Sequence, residues 1–240
     1  MKYGKRQLVP RRHLYKYRAF DDPYDSLRRM LAQNDWWFGS RSSFDDKDDF
    51  VFPGVKAHPS LAGFDYERIK IEMQETLDRT GVFCLSESPK VFRLWDLYAG
   101  SGAGLCAEIE ADYVTDPEFG PFRVTYSDRP KPQWEYTAGE QKRERLTAAA
   151  LLQKSTQWKY QAEWRCVRTW LRNESPTANR YYPIAARALV GVIFGWKTSE
   201  TQHREVIQWI ENGLRWRRTI RLRQAYLVGE KIQISDHLCD

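Results

Sequence analysis

The sequence predicts an α+β fold, a single domain over 1–240 with a mixed, largely antiparallel sheet. Its 240 residues, 42% of them hydrophobic, suit one core, because chains divide into separate cores only beyond about 250–300 residues. No stretch is compositionally simple and no segment repeats, which excludes solenoids and disordered chains. Strand and helix patterns interleave irregularly, which favours α+β over repeated βαβ units.

Apolar runs bounded by turn residues predict the strands. The run over 189–195 is apolar on both faces, so we expect it near the centre of the sheet. The last two strands are predicted to form a hairpin across Gly229-Glu230. The predicted strands span 13–18, 36–39, 82–86, 104–110, 122–126, 162–170, 189–195, 220–228 and 231–234.

A spacing of 3.6 residues between apolar positions, together with capping residues, predicts the helices. Asp22-Pro23 begins one helix that ends at Asn34, and Ser199 begins another that ends at Asn212-Gly213. Further helices are predicted over 66–77 and 138–154, and a short helix or turn starts at Trp95. We expect four tryptophans in the core: Trp36, Trp95, Trp158 and Trp164.

The net charge of +6 is concentrated at the N-terminus, where residues 1–18 hold seven basic side chains and no acidic one. This basic segment, over 1–12, suits an anionic partner. The longest apolar run, 188–194, is far below the roughly 20 residues that cross a bilayer, so we expect a cytoplasmic protein without a membrane partner. The four cysteines are scattered without a CxxC pair, which predicts buried thiols rather than a disulfide or zinc site.

Two motifs suggest ligands but favour plainer interpretations. The glycine-rich run 100–104 precedes a predicted strand, whereas a dinucleotide loop precedes a helix, so we interpret it as a tight turn. The acidic run 45–49 lacks the glycine and terminal glutamate of a calcium loop, which favours a solvated loop. A metal-dependent nuclease that uses Asp45, Asp46, Asp48 and Asp49 stays an alternative, although no spacing predicts a metal ligand set.

The arginine-rich stretch 204–223 is interleaved with Trp209 and Trp216, a pattern typical of phosphate contact combined with base stacking. A non-catalytic nucleic-acid-binding module is therefore an alternative function. Arginines that offset a helix dipole and a strand with a basic exposed face would give the same pattern.

Three separated motifs carry the leading hypothesis. Tyr17-Arg18 ends the first predicted strand, the segment Phe83-Cys-Leu-Ser86-Glu-Ser88 lies at the end of a middle strand, and Gln161-Ala-Glu163 begins a later strand. In this order they resemble the arginine, serine and glutamate signature of the ADP-ribosyltransferases, which split NAD. The resemblance implies that family's split sheet, NAD as substrate, and a nucleic acid or protein as acceptor.

The chemistry of NAD cleavage needs these residue types. The nicotinamide–ribose bond breaks through an oxocarbenium-like state, which a carboxylate such as that of Glu163 stabilises. The pyrophosphate or ribose suits a planar and permanently charged donor, and Arg18 is the candidate. Two plainer alternatives stay open: Glu163 and Arg165 form an ordinary ion pair, and Arg18 is a surface residue.

The resemblance assigns the remaining roles. It implies that Ser86 braces the site and orients Glu163, that Ser88 supports the strand edge, and that Gln161 faces the acceptor. The aromatic candidates for stacking on nicotinamide are Tyr17, Phe83 and Tyr160.

A second resemblance spans nearly the whole chain and points to a bacterial family, the domain of unknown function twenty-nine seventy-one. It rests on LYKYR (14–18), WWFGSRSSFDD (36–46), FCLSES (83–88), LWDLYAGSGAGLCAEIE (94–110), WKYQAEWR (158–165) and ALVGVIFG (188–195). This chain departs from that family at Leu97 and near Gly102, where the family usually has His, and at Gln161, where it has Glu. The two resemblances together imply an enzyme of a toxin or phage-defence setting.

Overall fold

The computed structural model describes eleven stretches of the chain. They are residues 12–20, 25–44, 46, 49–51, 55–56, 66–114, 119–130, 134–135, 150–170, 180–213 and 220–236. Several predicted features lie outside the described residues: most of the basic N-terminal segment, Asp22-Pro23, Asp45, Asp48, Arg215, Trp216, Arg217, Arg218, Cys239 and most of the helix predicted over 138–154.

The described elements are mostly strands. The strands are β1 (His13–Arg18), β2 (Asp35–Trp37), β3 (Val55–Lys56), β4 (Thr80–Ser86), β5 (Leu105–Glu110), β6 (Phe122–Arg123), β7 (Thr125–Tyr126), β8 (Trp134–Glu135), β9 (Gln153–Lys154), β10 (Glu163–Thr169), β11 (Tyr181–Pro183), β12 (Leu189–Phe194), β13 (Arg221–Val228) and β14 (Lys231–Ile234). The labelled helices are α1 (Ser26–Gln33), α2 (Tyr66–Asp78), α3 (Phe92–Tyr98) and α4 (Glu200–Gly213), and the described residues 150–152 are also helical.

Eight strands form one sheet in the order β14-β13-β12-β5-β1-β4-β10-β6. Strands β12 and β13 are parallel and the other neighbours are antiparallel, which confirms the predicted α+β fold with a mixed, mostly antiparallel sheet. Strand β12 lies between β5 and β13 and is buried along its length, as its two apolar faces predict. Two-stranded ladders join β2 to β11, β3 to β8 and β7 to β9.

Most predicted boundaries agree with the structure within two residues, and local chemistry explains them. Asn34 ends α1 in the left-handed conformation, at φ 54°. Ser199 and Gln202 form a reciprocal cap at the start of α4, in which each backbone N–H donates to the other side chain. Beyond Asp22-Pro23, which lies outside the described residues, α1 begins only at Ser26, with Asp25 as its N-cap.

Two predictions are wrong at tertiary contacts. The strand predicted over 122–126 divides, because β6 pairs with β10 whereas β7 pairs with β9. The helix predicted to reach residue 154 ends by Leu152, and Gln153–Lys154 is extended as β9. Pairing with β7 overrides helix propensity at this point, since two registered ladder positions reward the extended backbone.

Both faces of the large sheet are covered. One face packs Leu14, Leu85 and Trp164 against Trp36 and side chains of α1 and α4. The other face packs Tyr17, Cys106 and Ile193 under Trp95 of α3. Trp36, Trp95 and Trp164 are core residues as predicted, whereas Trp158 is half-buried and borders a cavity.

Strands β1 and β4 separate soon after they meet. Every residue of β1 has a partner on β5, and every residue of β4 has a partner on β10. Between β1 and β4, however, the paired position is Tyr15 opposite Ser86. The edges that diverge from this pair, 16–19 on β1 and Val82, Cys84 and Leu85 on β4, border an opening in the sheet.

The glycine-rich run 100–104 is a tight turn that leads into β5, as predicted. Gly102 has a φ of +89° and lies against the Trp196 ring, which packs on Trp95 at a centroid distance of 5.6 Å. A Cβ at Gly102 would overlap that ring. The glycine therefore allows Trp196 to hold α3 on the sheet.

We expect Gly102→Ala to destabilise the fold by about 2–4 kcal/mol, because it combines overpacking with a left-handed backbone. Gly229→Ala is the matched control, since Gly229 has a φ of +61° with nothing within 4 Å of an added Cβ. The control should lose about 1 kcal/mol, the backbone cost alone. Urea unfolding of both variants measures the difference, and equal losses would contradict the packing role of Gly102.

Candidate functional site

A cavity of about 470 Å³ occupies the opening between β1 and β4. Its walls come from 15–19 of β1, Val82 and 84–86 of β4, Glu163 at the start of β10, the segment 154–161, and the end of α3. Its volume lies in the range of small-molecule sites, about 300–1,000 Å³. Basic side chains, acidic side chains and aromatic rings share this lining.

Five of the eight predicted site residues line this one cavity: Tyr17, Arg18, Ser86, Gln161 and Glu163. Arg18 and Glu163 are 145 positions apart in the chain, and the sheet order places their strands on either side of β4. Alternation along the strands directs the two side chains to opposite faces of the sheet, since Arg18 alternates with Tyr17 and Glu163 shares the row of Tyr15 and Ser86. Both residues nevertheless line the opening between β1 and β4. Arg18 is half-buried in this lining.

Phe83, Ser88 and Tyr160 do not line the cavity. Phe83 points to the opposite face of β4 from Ser86, where its ring stacks on Trp36 at 4.4 Å. Tyr160 packs beside α3, with the Arg93 guanidinium 4.7 Å from its ring centroid. These two rings therefore pack around the cavity without forming part of its wall.

Tyr17 and Ser88 together hold the loop that precedes α3. The Tyr17 hydroxyl donates to the Ser88 carbonyl at 2.7 Å, and its ring meets Trp95 edge-on at 5.3 Å. Burial raises the pKa of the Tyr17 hydroxyl far above its usual value, so it stays a neutral donor. Ser88 thus acts through its backbone, and Tyr17 offers the cavity only part of its ring.

A tight turn places Gln161 and Glu163 at the cavity. Ala162, between them, has a left-handed backbone with φ 44°, which costs about 1 kcal/mol outside glycine. The Ser86 hydroxyl donates to the Gln161 carbonyl at 2.7 Å, and the Glu163 N–H donates to the Tyr126 hydroxyl at 2.8 Å. Ser86 therefore braces the backbone of the turn that carries Glu163, through the Gln161 carbonyl.

Glu163 belongs to a buried network of four charges, which we call the ion network: Asp49, Lys154, Glu163 and Arg165. Arg165 Nε donates to Glu163 Oε1 at 2.8 Å, and its two terminal nitrogens contact the two Asp49 oxygens at 2.9 and 2.5 Å. Lys154 Nζ lies 3.2 Å from Glu163 Oε2 and 3.5 Å from Asp49 Oδ2. The side chains are at most 6% exposed.

The ion network is electrically balanced, with two carboxylates and two cations. A buried charge without a partner costs several kcal/mol, so removal of one member exposes the others to that penalty. The Glu163–Arg165 pair is thus no ordinary surface pair, since both groups are buried and share further partners. Only Lys154 and Glu163 of the four also line the cavity.

Asp49 corrects the prediction of a solvated acidic loop. It is 2% exposed, and Arg165 occupies both of its carboxylate oxygens. Among the described residues, no group of three histidine, cysteine, aspartate or glutamate side chains is placed to hold a metal ion. Asp49 therefore stabilises the fold around Arg165, whereas Asp46, the other described aspartate of the run, lines the cavity.

The ion network determines the protonation states of two residues that line the cavity, Glu163 and Cys84. Burial alone raises the pKa of Glu163, but the charges of Arg165 and Lys154 outweigh it and lower the pKa to about 2. Burial, with the nearby Glu163 charge, raises the pKa of the Cys84 thiol to about 12. Glu163 is therefore an ionised and weakly basic carboxylate, suited to stabilise positive charge, whereas Cys84 is an inert thiol.

Part of the predicted basic surface is paired with a second buried carboxylate, Glu108. Arg221 and Arg223 each donate to Glu108 Oε2 at 2.8 Å, and Tyr15 donates to Oε1 at 3.1 Å. Trp209 packs against the core from α4. Arg221 and Arg223 therefore neutralise the buried Glu108 carboxylate. The sequence pattern alone does not distinguish this role from contact with phosphate.

Sequence reasoning missed Lys154 and Tyr98 as residues of the cavity lining, and Asp49 as a member of the ion network. The alternation of β10 places Glu163 and Arg165 on one face and signals their contact. No comparable signal connects Asp49 to Arg165, which are 116 positions apart. The sequence predicts Lys154 at the end of a helix, so its contact with the Gln-x-Glu turn is not expected. The only signal for that contact is that Lys154 precedes the turn by a few residues.

No family model, curated protein or solved structure matches this chain. Within the described residues, the helices are too short or too polar to cross a membrane.

We expect Glu163→Gln to destabilise the protein by about 3–5 kcal/mol at pH 7, because it leaves two buried cations with one carboxylate. The pKa of Glu163 is lower in the folded than in the unfolded state, so its contribution is complete above about pH 4.5 and is lost as the pH falls toward 2. The difference between wild type and variant should therefore shrink by on the order of 3 kcal/mol over that window. Urea unfolding at several pH values measures it, and a constant difference would contradict the assignment.

Proposed function

We propose that the protein is a cytoplasmic NAD-consuming enzyme, an ADP-ribosyltransferase or NAD glycohydrolase, that serves in a toxin or phage-defence setting. One observation carries the proposal: the strands that bear the arginine, serine and glutamate motifs are β1, β4 and β10, which are successive neighbours in the sheet. Arg18, Ser86 and Glu163 border a single cavity at the point where these strands separate. The setting follows from the sequence resemblances.

The Glu163 carboxylate suits the bond-breaking step. As the bond between ribose C1′ and the nicotinamide nitrogen breaks, its electron pair leaves with neutral nicotinamide and positive charge develops on the ribose. An ionised carboxylate in a buried wall stabilises that charge. Water or an acceptor group then bonds to C1′ and releases a proton, and its identity decides between hydrolysis and transfer.

The cations of β1 suit the pyrophosphate. Lys16 and Arg18 are two positions apart on one strand, so their side chains leave the same face, and both line the cavity. This is the face opposite Glu163, and on it Lys16 Nζ lies 4.7 Å from the centroid of the Phe83 ring. Two adjacent cations complement a dianionic pyrophosphate, and the planar guanidinium can bind it with two hydrogen bonds. Since Phe83 and Tyr160 lie outside the lining, the rings available to the base moieties include Tyr98 and Trp158 besides Tyr17.

We expect the wild-type protein to release nicotinamide from NAD and Glu163→Gln to reduce that release at least about 100-fold, because the charge that opposes the oxocarbenium ion is lost. Asp49→Asn is the matched control, since it removes the other carboxylate of the ion network but lies outside the cavity lining. It should keep activity within about tenfold of wild type.

The measurement is chromatographic detection of released nicotinamide. It is made at a temperature where circular dichroism shows that every variant is folded. Equal losses in Glu163→Gln and Asp49→Asn would assign the effect to stability instead of catalysis. Absence of nicotinamide release by folded wild type, with water and with nucleic acid or protein acceptors, would overturn the proposed function.

We expect Arg18→Met to raise the KM for NAD by about 10–100-fold, because a charge-assisted contact with the pyrophosphate is lost. Arg204→Met on the exposed face of α4 is the control and should leave KM unchanged. Steady-state kinetics measures both. An unchanged KM in Arg18→Met would place the pyrophosphate elsewhere.

A further inference from the structure

Lys154 is a buried cation whose ammonium group contacts side-chain oxygen atoms of three residues beside the cavity. Its ammonium donates to Gln161 Oε1 at 2.8 Å and to Glu163 Oε2 at 3.2 Å, and it lies 3.5 Å from Asp49 Oδ2. It also lies 5.0 Å from the ring centroid of Trp158. Although its residue is only 6% exposed, Lys154 borders the cavity beside Gln161.

These contacts determine which way the Gln161 amide faces. An amide has one end that accepts and one that donates, and the two ends have nearly the same shape. An ammonium only donates, so it requires the carbonyl end of Gln161 on its own side. The Nε2 end consequently faces Tyr98, whose hydroxyl lies 3.5 Å away at the rim of the cavity.

The ammonium keeps its charge in this position. Burial lowers the pKa of Lys154, but the carboxylates of Glu163 and Asp49 raise it more, and the pKa is above its usual value. Arg165 and Cys84 are the other titratable groups that act on it. A neutral amine, which could accept a hydrogen bond and tolerate the opposite amide orientation, is therefore disfavoured at neutral pH.

We propose that Lys154 is a positioning residue that makes Gln161 present N–H donors to the cavity, so that the ligand group bound beside Gln161 is a hydrogen-bond acceptor such as a carbonyl, carboxylate or phosphate oxygen. The orientation of the amide does not depend on the proposed function. The consequence for turnover rests on it, because Gln161 is then the neighbour of the reacting ribose or of its acceptor.

The orientation is tested by NMR of the glutamine side-chain amides in ¹⁵N-labelled protein, with the Gln161 signals assigned from their loss in Gln161→Met. In Lys154→Met we expect the Gln161 amide protons to exchange with solvent at least about tenfold faster, since the amide loses its charged partner. Asp49→Asn is the control, because it disturbs the ion network without removing the contact to Gln161.

Lys154→Met leaves two buried carboxylates with one cation, and it will not necessarily fold. The double variant Lys154→Met/Asp49→Asn removes one charge of each sign, so the remaining pair stays balanced. This double variant is used if Lys154→Met does not fold. Faster exchange in Lys154→Met or in the double variant, but not in Asp49→Asn, supports the inference. Unchanged Gln161 signals, or equal changes in Asp49→Asn, overturn it whether or not the protein consumes NAD.

The role in turnover is tested on nicotinamide release. We expect the double variant to lower kcat by about tenfold relative to Asp49→Asn, with the KM for NAD within threefold, since Lys154 orients a neighbour of the reacting group and does not bind the pyrophosphate. An unchanged kcat, or an effect on KM alone, overturns the positioning role. Absence of nicotinamide release in wild type overturns the proposed function, and the NMR result then stands by itself.

Discussion

The buried balance of two carboxylates and two cations is the constraint on which the cavity depends. Asp49, Lys154 and the pair Glu163 and Arg165 come from three separate parts of the chain, and all four side chains are buried where they meet. Each charge is tolerated there because the others are present, since an unpaired buried ion is costly. The same balance holds Glu163 ionised and orients Gln161, so stability and site chemistry have a common origin.

The sheet explains why one buried carboxylate borders a cavity and another does not. Glu108, Tyr15, Ser86 and Glu163 lie in one row across β5, β1, β4 and β10. At one end of the row β1 stays paired with β5, and Arg221 and Arg223 cover Glu108. At the other end β1 leaves β4 after the Tyr15–Ser86 pair, so the space beside Glu163 stays open.

Strand alternation and the turn at Ala162 explain which of the predicted residues line the cavity. Phe83 and Ser86 are three positions apart on one strand, and side chains at odd separations point to opposite faces. That alternation is present in the sequence and excludes a common face for the two residues, in agreement with the stacking of Phe83 on Trp36. Gln161 and Glu163 border the cavity together because Ala162 adopts a left-handed turn, which neither composition nor spacing predicts.

Local chemistry in the sequence determined the first strand, the stop at Asn34, the closing hairpin and the α+β class, because apolar period and capping act between near neighbours. It also supplied the order of the arginine, serine and glutamate motifs. Only the tertiary structure decided that Asp49 is buried against Arg165, that 153–154 is a strand and that Lys154 contacts Gln161. Those outcomes depend on contacts between remote segments, whose charges and hydrogen bonds are decided by burial, and burial is a property of the folded chain.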